Sequence, residues 1–360
     1  METPFLGLAA KQTTVSSVSQ AIGTAKISYF DGLCYRLGVN LLQIIESNSS
    51  GLFPAPERYI DGIWSRVYFC GDRVLKVYKY VNQHGINLTT RDSRRGFYTD
   101  DFNWNKVVTP DIYLDIVGIG ISGTGRISAA PINEARDFVI VMVRGDDTQS
   151  FAHELEAGNV SESETEALTG QLVQASRHLT GQMQDGLQDI ACVGWQSLFL
   201  NGIRDLDSYF EKADCVNKTE IKDMLQATLR IAGSCRHISE AGTSSLRAAI
   251  ATQPENVLYY RRQPLLIDSM FPKRQWRVVD GQHNIARLAL FLSVLGNPKL
   301  GEHAYNIYFS LTDERISHEA LLLYELRNAL WQYAYRHIYK EFEAAAKFRD
   351  YSVRLLKQLH

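Results

Sequence analysis

Asn256 and Asp268 carry the side-chain types that hold a divalent cation beside phosphates, an amide oxygen and a carboxylate, both hard donors. Between them the chain reads as a strand (Asn256–Tyr260), a basic turn (Arg261–Arg262–Gln263–Pro264) and a second strand (Leu265–Ile267). Apolar β-formers on both sides of a turn that supplies Pro predict a tight hairpin. Such a hairpin would set the amide and the carboxylate side by side at its base. The same two residues also suit a plainer role, an Asn in a turn and an Asp capping a loop, and the pair alone leaves both readings open. A second chemical candidate is Lys76, in the run Val74–Leu75–Lys76–Val77. A lysine in a strand can neutralise phosphates, or it can serve as a solvated guard on a sheet edge.

The elements that must position these groups follow from periodicity. Residues 1–25 are rich in Ser, Thr, Gly and Ala and read as a leader or weak helix, and Tyr29–Ser47 as a helix ended by Asn48–Gly51 and Pro54. Tyr59–Tyr80 alternates like two strands around Cys70–Gly71–Asp72–Arg73. Arg91–Val108 is amphipathic, carries Asp100 and Asp101, and closes at Thr109–Pro110. Ile112–Ile121 and Phe138–Val143 read as strands around a Gly/Ser/Asn-rich turn, Ser122–Asn133, and Arg144–Gly145–Asp146–Asp147 as a hinge. Beyond Ser150 the pattern is helical: a capping start at Ser161–Glu164 opens a helix to about Gln184, then come 194–212 and 218–241. After the hairpin follow helices over 284–295, 304–311, 317–339 and 341–359. His178 and His237 lie on helices and read as packing or surface residues rather than ligands.

Composition narrows the classes. The chain has 360 residues, 45% of them hydrophobic, and a formal net charge of -2, so it is globular and is not steered to nucleic acid or anionic membrane by charge. Five scattered cysteines with no C-x-x-C suit a reducing cytoplasm better than a disulfide framework or a zinc site. No apolar run approaches membrane-spanning length, and the N-terminus lacks the apolar core of a secretory signal.

Taken together these stretches resemble the aminoglycoside phosphotransferase group of the kinase-like fold, most nearly the aminoglycoside-kinase-like domains of bacterial proteins that often carry a fused ATPase. That pattern runs H-G-D-L-H-x-x-N, a hairpin, an apolar run to a metal-binding Asp, then R-x-x-D-x-x-x-D-L-A. Aligned without a gap, Asn256 falls on the motif Asn, Asp268 on the metal-binding Asp, and Arg277 and Asp280 on the R-x-x-D. The resemblance implies an α+β, two-lobed protein-kinase-like fold, with a small β-rich N-lobe (56–145) and a larger helical C-lobe (146–360, with the hairpin at 249–268); residues 1–55, mostly outside it, stay a leader and helix by composition and spacing. It implies ATP and Mg²⁺ as ligands, with Lys76 on the nucleotide phosphates, Asp101 as its acidic partner, and backbone near Met142 and Arg144 on the adenine. Asn256 and Asp268 would hold the metal. Asp61–Gly62–Ile63–Trp64–Ser65 would be a thin version of the turn that covers the nucleotide.

The same alignment exposes a departure. The H-G-D positions read Ala249, Ile250 and Ala251, the later His is Gln253, and the second Asp of the following motif is Asn284. Ala251 can neither accept a proton nor orient a hydroxyl, so no catalytic residue is assigned there. The expectation is therefore a pseudokinase in the cytoplasm that binds nucleotide and acts as a regulator or scaffold through a protein partner. The alternative is a slow or non-standard ATP-dependent phosphotransferase or nucleotidyltransferase, in which Glu255 or Gln253 would stand in for the base.

Overall fold

The computed structural model describes residues 12–14, 41–46, 51–62, 64–83, 86–121, 127–146, 149–183, 193–213, 217–240, 245–314 and 317–359. The expected leader and most of the helix expected over Tyr29–Ser47 lie outside them; α1 (Leu41–Glu46) is the described part. The chain divides into two compact units, residues 1–147 and 148–360.

The first unit is built on a seven-stranded antiparallel sheet. Its strands are β1 (Gln12–Thr14), β2 (Arg58–Asp61), β3 (Ser65–Cys70), β4 (Arg73–Tyr78), β7 (Tyr113–Ile121), β8 (Ile127–Ala130) and β9 (Asp137–Val143), in the order β1-β2-β3-β4-β9-β7-β8. A separate ribbon pairs β5 (Asn82–Gln83) with β6 (Ile86–Asn87). The β3–β4 turn uses Gly71 at φ 62°, a left-handed backbone that glycine adopts without a Cβ clash. Leu41, Ile44 and Ile45 of α1 pack with Tyr68, Leu75, Val77 and Val139. The helix α2 (Arg91–Val108) contributes Tyr98, whose ring meets Tyr78 and Phe138. β8 corrects the sequence reading, which placed a turn over Ser122–Asn133: this strand is too short and too rich in Ser and Ala to show periodicity, and only its pairing with β7 defines it.

The second unit is mainly helical: α3 (Phe151–Glu156), α4 (Glu162–Gln182), α5 (Trp195–Lys212), α6 (Lys218–Ser234) and α7 (Arg236–Glu240) precede the hairpin. α4 opens with a capping box, in which Ser161 and Glu164 exchange side-chain and backbone hydrogen bonds. The helix expected over 218–241 is two, broken at Cys235, whose backbone is extended (φ -67°, ψ 112°). Next come β10 (Leu246–Ala248), the hairpin strands β11 (Val257–Tyr260) and β12 (Gln263–Leu266), and β13 (Val278–Asp280). α8 (Gly281–Phe291) continues through a π-helical turn, Leu292–Gly296, and α9 (Pro298–Leu311), α10 (His318–Ile338) and α11 (Phe342–Leu359) complete the unit.

Every residue of α8 is buried, which marks it as the central helix of this unit. It begins at Gly281, ahead of the start expected at Asn284, because the Asp280 carboxylate caps it by accepting from the Gln282 N–H at 2.9 Å. A Cβ at Gly281 would collide with the Glu314 carboxylate. The pairing of β10 with β13 (Leu246↔Asp280, Ala248↔Val278) was not legible in the sequence, since three-residue strands carry no usable period.

Candidate functional site

Lys76 sits on β4, which lies between β3 and β9 inside the sheet, so the reading of an exposed edge guard is excluded. The sheet buries its side chain (3% exposed) and points its ammonium at α2. There Nζ meets Asp101 Oδ2 at 3.0 Å, and Asn105 donates to Asp101 Oδ1 at 2.8 Å. Asp101 is itself 1% exposed, so this is a buried ion pair with a second hydrogen bond to the carboxylate. Asp100, its neighbour in sequence, is only half-buried.

A second buried ion pair anchors the same helix, and sequence reasoning missed it. Arg94 donates from Nε and Nη2 to Asp137 Oδ1 at 2.9 and 2.6 Å, and from Nη2 to the Tyr78 carbonyl at 2.9 Å. Its guanidinium also lies 4.0 Å from the Tyr80 ring centre. Arg94 thereby ties α2 to the last residue of β4 and the first of β9, while Asp101, two turns further along the helix, meets Lys76 within β4. An arginine in the first turn of a helix looks solvated in sequence; nothing local announces that Asp137 waits 43 residues away.

Met142 is buried in β9 and pairs with Val74 on one side and Tyr113 on the other. At the strand's exit the Val143 N–H donates to Ile112 O at 2.8 Å and the Arg144 N–H to Asp72 O at 3.0 Å. These two donors serve the fold itself. The Arg144 side chain pairs with Glu57 at 2.8 Å. In the turn between β2 and β3, Asp61 meets Arg66 at 2.8 Å and Lys79 at 2.9 Å, while Ile63 lies outside the described residues.

In the second unit the hairpin turns on Arg261 and Arg262 alone, at φ 52° and 65°, and Pro264 sits inside β12 opposite Tyr259. A two-residue turn of this hand matches the twist of its strands, which is why the four-residue turn expected from Pro264 is not formed. The hairpin closes at its base: Asn256 Nδ2 donates to the Asp268 main-chain oxygen at 3.1 Å, and the Ile267 N–H to Asn256 O at 2.8 Å. Asp268 is exposed and stands at φ 48°, a left-handed conformation costly for most non-glycine residues and one that clusters at functional positions. The contact joins the Asn256 amide to the main chain of Asp268, whose side chain is exposed; an amide oxygen and a carboxylate are donor types that suit Mg²⁺, which keeps several waters and takes few protein ligands. No cluster of three or more His, Cys, Asp or Glu suited to a metal occurs among the described residues.

The 249–256 loop is held by backbone pairing and by α8. Ala249 N–H donates to Arg277 O and Ala251 N–H to Ser269 O, each at 2.9 Å, and Ala251 is buried. Asn284, fully buried, accepts from the Ile250 N–H at 3.1 Å and donates to Ala248 O at 2.8 Å. An amide can do both; an Asp could only accept. Glu255 forms a buried ion pair with Arg336, which also holds Glu341, so Glu255 is engaged in packing α10 rather than presented as a base. Two other side-chain oxygens of this loop, Thr252 Oγ1 and Gln253 Oε1, are buried without a hydrogen-bond partner.

Behind the loop lies a cavity of about 380 Å³, lined among others by Ser176, Arg177, His237, Arg247, Asn284 and Glu314. The Asp280 carboxylate, 3.5 Å away, raises the pKa of His237. Burial raises that of Glu314, against the hydrogen bond from Tyr308 and the charge of Arg247. His178 is exposed. No helix among the described residues is long and apolar enough to cross a membrane.

No family model matches the chain, and no curated protein matches it. Solved structures do. The choline kinase LicA from Streptococcus pneumoniae aligns with a TM-score of 0.51 at 14% identity, over 88% of this chain and 98% of that one. A thermostable mutant of the aminoglycoside phosphotransferase APH(4)-Ia aligns with a TM-score of 0.47 at 14% identity, over 83% of this chain and 92% of that one. An aminoglycoside-3'-phosphotransferase of type VIII gives 0.44 at 12%, over 80% and 98%. The chain therefore has an α+β kinase-like fold, which it shares with the choline kinase, with a small β-rich first unit and a larger helical second one.

Proposed function

We propose that this chain is a kinase-fold pseudokinase that binds ATP with Mg²⁺ and uses the bound state to regulate or scaffold a protein partner. On this reading Lys76, oriented by Asp101, holds nucleotide phosphate, while Asn256 and Asp268 hold the cation. The cation would neutralise charge on the phosphates. The adenine would meet the backbone near Met142 to Arg144. Ala251 offers no proton acceptor, and general-base assistance is worth about 10²–10⁴-fold, so phosphoryl transfer to a hydroxyl would be slow while binding persists.

The observation that carries this reading is the buried Lys76–Asp101 pair. A buried ion pair is a poor stability device compared with apolar packing, and this one, unlike Arg94–Asp137, joins the lysine to which the resemblance gives the nucleotide phosphates to its acidic partner. Glu255, the nearest carboxylate in the loop's sequence, is tied to Arg336 and supports the loss of a base rather than its relocation.

The test is calorimetric titration of ATP, with and without Mg²⁺, on wild type and Asp268→Ala, beside a turnover assay. Metal-dependent binding that is lost in Asp268→Ala, with no turnover, is the expected result. Absence of binding to the wild type would overturn the nucleotide reading, and turnover at an ordinary kinase rate would overturn the pseudokinase reading.

A further inference from the structure

In the second unit, four polar residues on α8 and α10 form a cluster in which donors outnumber acceptors. Arg287 is 7% exposed and has five N–H groups to place. It makes only two long contacts, Nε to Asn328 Oδ1 and Nη1 to Ile250 O, both 3.4 Å, and lies 4.5 Å from the Phe271 ring centre. Arg327, half-buried, reaches His283 Nε2 from Nη1 at 3.3 Å, and its own Nε is buried without a partner. Asn328 Nδ2 lies 3.5 Å from the same His283 nitrogen. With two donors facing Nε2, the imidazole proton belongs on Nδ1, and Nδ1 is likewise buried without a partner.

No carboxylate among the described residues lies in ion-pair range of Arg287 or Arg327, and the charge of Asp205 acts on Arg327 only from beyond that range, whereas Arg94 holds one carboxylate and Arg336 two. Buried charge without a counter-ion is costly, and a surplus of buried donors asks for an acceptor. Burial, and for Arg287 the neighbouring Arg327, lowers the two guanidiniums to about 9 and about 10 respectively. Both therefore remain cationic at neutral pH. Burial and these two charges keep His283 neutral, its pKa well below the ordinary imidazole value.

The cluster borders the loop that carries Ala251. Arg287 touches Ile250 O and the Phe271 ring, and Ala251 itself pairs with Ser269 between those two points. The position where the resemblance expects a carboxylate is thus uncharged, and the Arg287 cation stands beside its loop, with Arg327 reaching His283 on the same helix as Arg287.

We infer that Arg287 and Arg327, with Asn328 and His283, form a binding site for an anion, the phosphate or carboxylate group of a small molecule, next to Ala251. This deepens the proposed function by giving the second ligand of the kinase-like face a negative charge, and rests on that function only for the word second. The surplus of donors over acceptors matches an oxyanion, which accepts through several lone pairs and offers no competing donor.

The test is titration of inorganic phosphate, at constant ionic strength set with chloride, into wild type, Arg287→Gln, Arg327→Gln and Asp268→Ala. Succinate titrated in parallel separates phosphate from carboxylate preference. The wild type is expected to bind one of the two saturably. Each Arg→Gln variant should bind it about 10–100-fold more weakly, as loss of a charge-assisted hydrogen bond predicts. Asp268→Ala should bind it as the wild type does, even where Mg²⁺-ATP binding is lost. Arg327→Gln changes a half-buried residue and carries the test if Arg287→Gln does not fold. Equal affinity in wild type and the Arg variants, or no saturable binding of either anion to wild type, overturns the assignment. Loss of anion binding in Asp268→Ala does so too. A protein that binds phosphate but not ATP would leave this site standing and defeat the nucleotide reading alone.

Discussion

Removing Asp101 tests the buried pair at the centre of the first unit. At 3.0 Å, with an effective dielectric of 20, the gross attraction between Lys76 and Asp101 is about 5 kcal/mol. Desolvating the two ions costs several kcal/mol each, so the net worth of the pair is near zero. Asp101→Ala is different: it takes the buried carboxylate away from the Lys76 ammonium and removes one of the two Asp101 oxygens that accept from the Asn105 amide. The expected cost is about 3–5 kcal/mol, the usual result of breaking such a pair from one side. The double variant Lys76→Met/Asp101→Leu replaces both ions with apolar side chains of similar size and should return to within about 2 kcal/mol of the wild type, or exceed it. Urea-unfolding midpoints of the wild type, the single variants and the double variant measure the cycle, and ATP titration of the double variant separates folding from binding. A cost for Asp101→Ala below about 1 kcal/mol, the range of solvated pairs, would refute the burial argument. A double variant as unstable as the single one would refute the claim that charge, rather than shape, is at stake.

Three further outcomes are expected. Asn284→Asp removes the donation to Ala248 O and buries a carboxylate against that carbonyl, which should cost about 2–4 kcal/mol in thermal or urea denaturation; wild-type stability would show that the amide's donor is not used. Glu255→Gln should lower stability by about 1–3 kcal/mol, since Arg336 keeps Glu341, and should leave any residual ATP turnover unchanged; a fall in turnover with stability intact would make Glu255 a base after all. The two histidines should give opposite pH dependences. His283 has a depressed folded pKa, so its contribution is complete above the ordinary imidazole value of about 6.5 and is lost as pH falls through the folded value. His237 is raised by the Asp280 carboxylate beside it, so its contribution is complete below about 6.5 and is lost as pH rises through the folded value. Melting curves from pH 5 to 8 on His283→Asn and His237→Asn should each remove one of these slopes, and unchanged profiles would contradict the assignments.

Local pattern alone made several elements legible. The capping box at Ser161 and Glu164, the amphipathic run Arg91–Val108 and the Gly71–Asp72 turn between apolar alternations are each encoded within a few residues, and the helix and hairpin they predict are present. Spacing along the chain also brought Asn256 and Asp268 under one heading, because a hairpin fixes the separation of its two ends. What needed the tertiary structure was every property that depends on a distant partner. Whether Lys76 faces water or a buried Asp depends on β9 pairing beside β4, a contact across more than sixty residues of chain. The β10–β13 pairing, which supports the loop before Ala251, joins segments too short to show a period. The cation cluster is invisible in sequence for the same reason. Arg287 reads as one charge in an apolar helix and Arg327 as one charge in another; only packing α8 against α10 brings Arg327 to the His283 imidazole and Asn328 to Arg287. Sequence records which charges exist, and the fold decides which of them lose their water and which are left to find a counter-ion elsewhere.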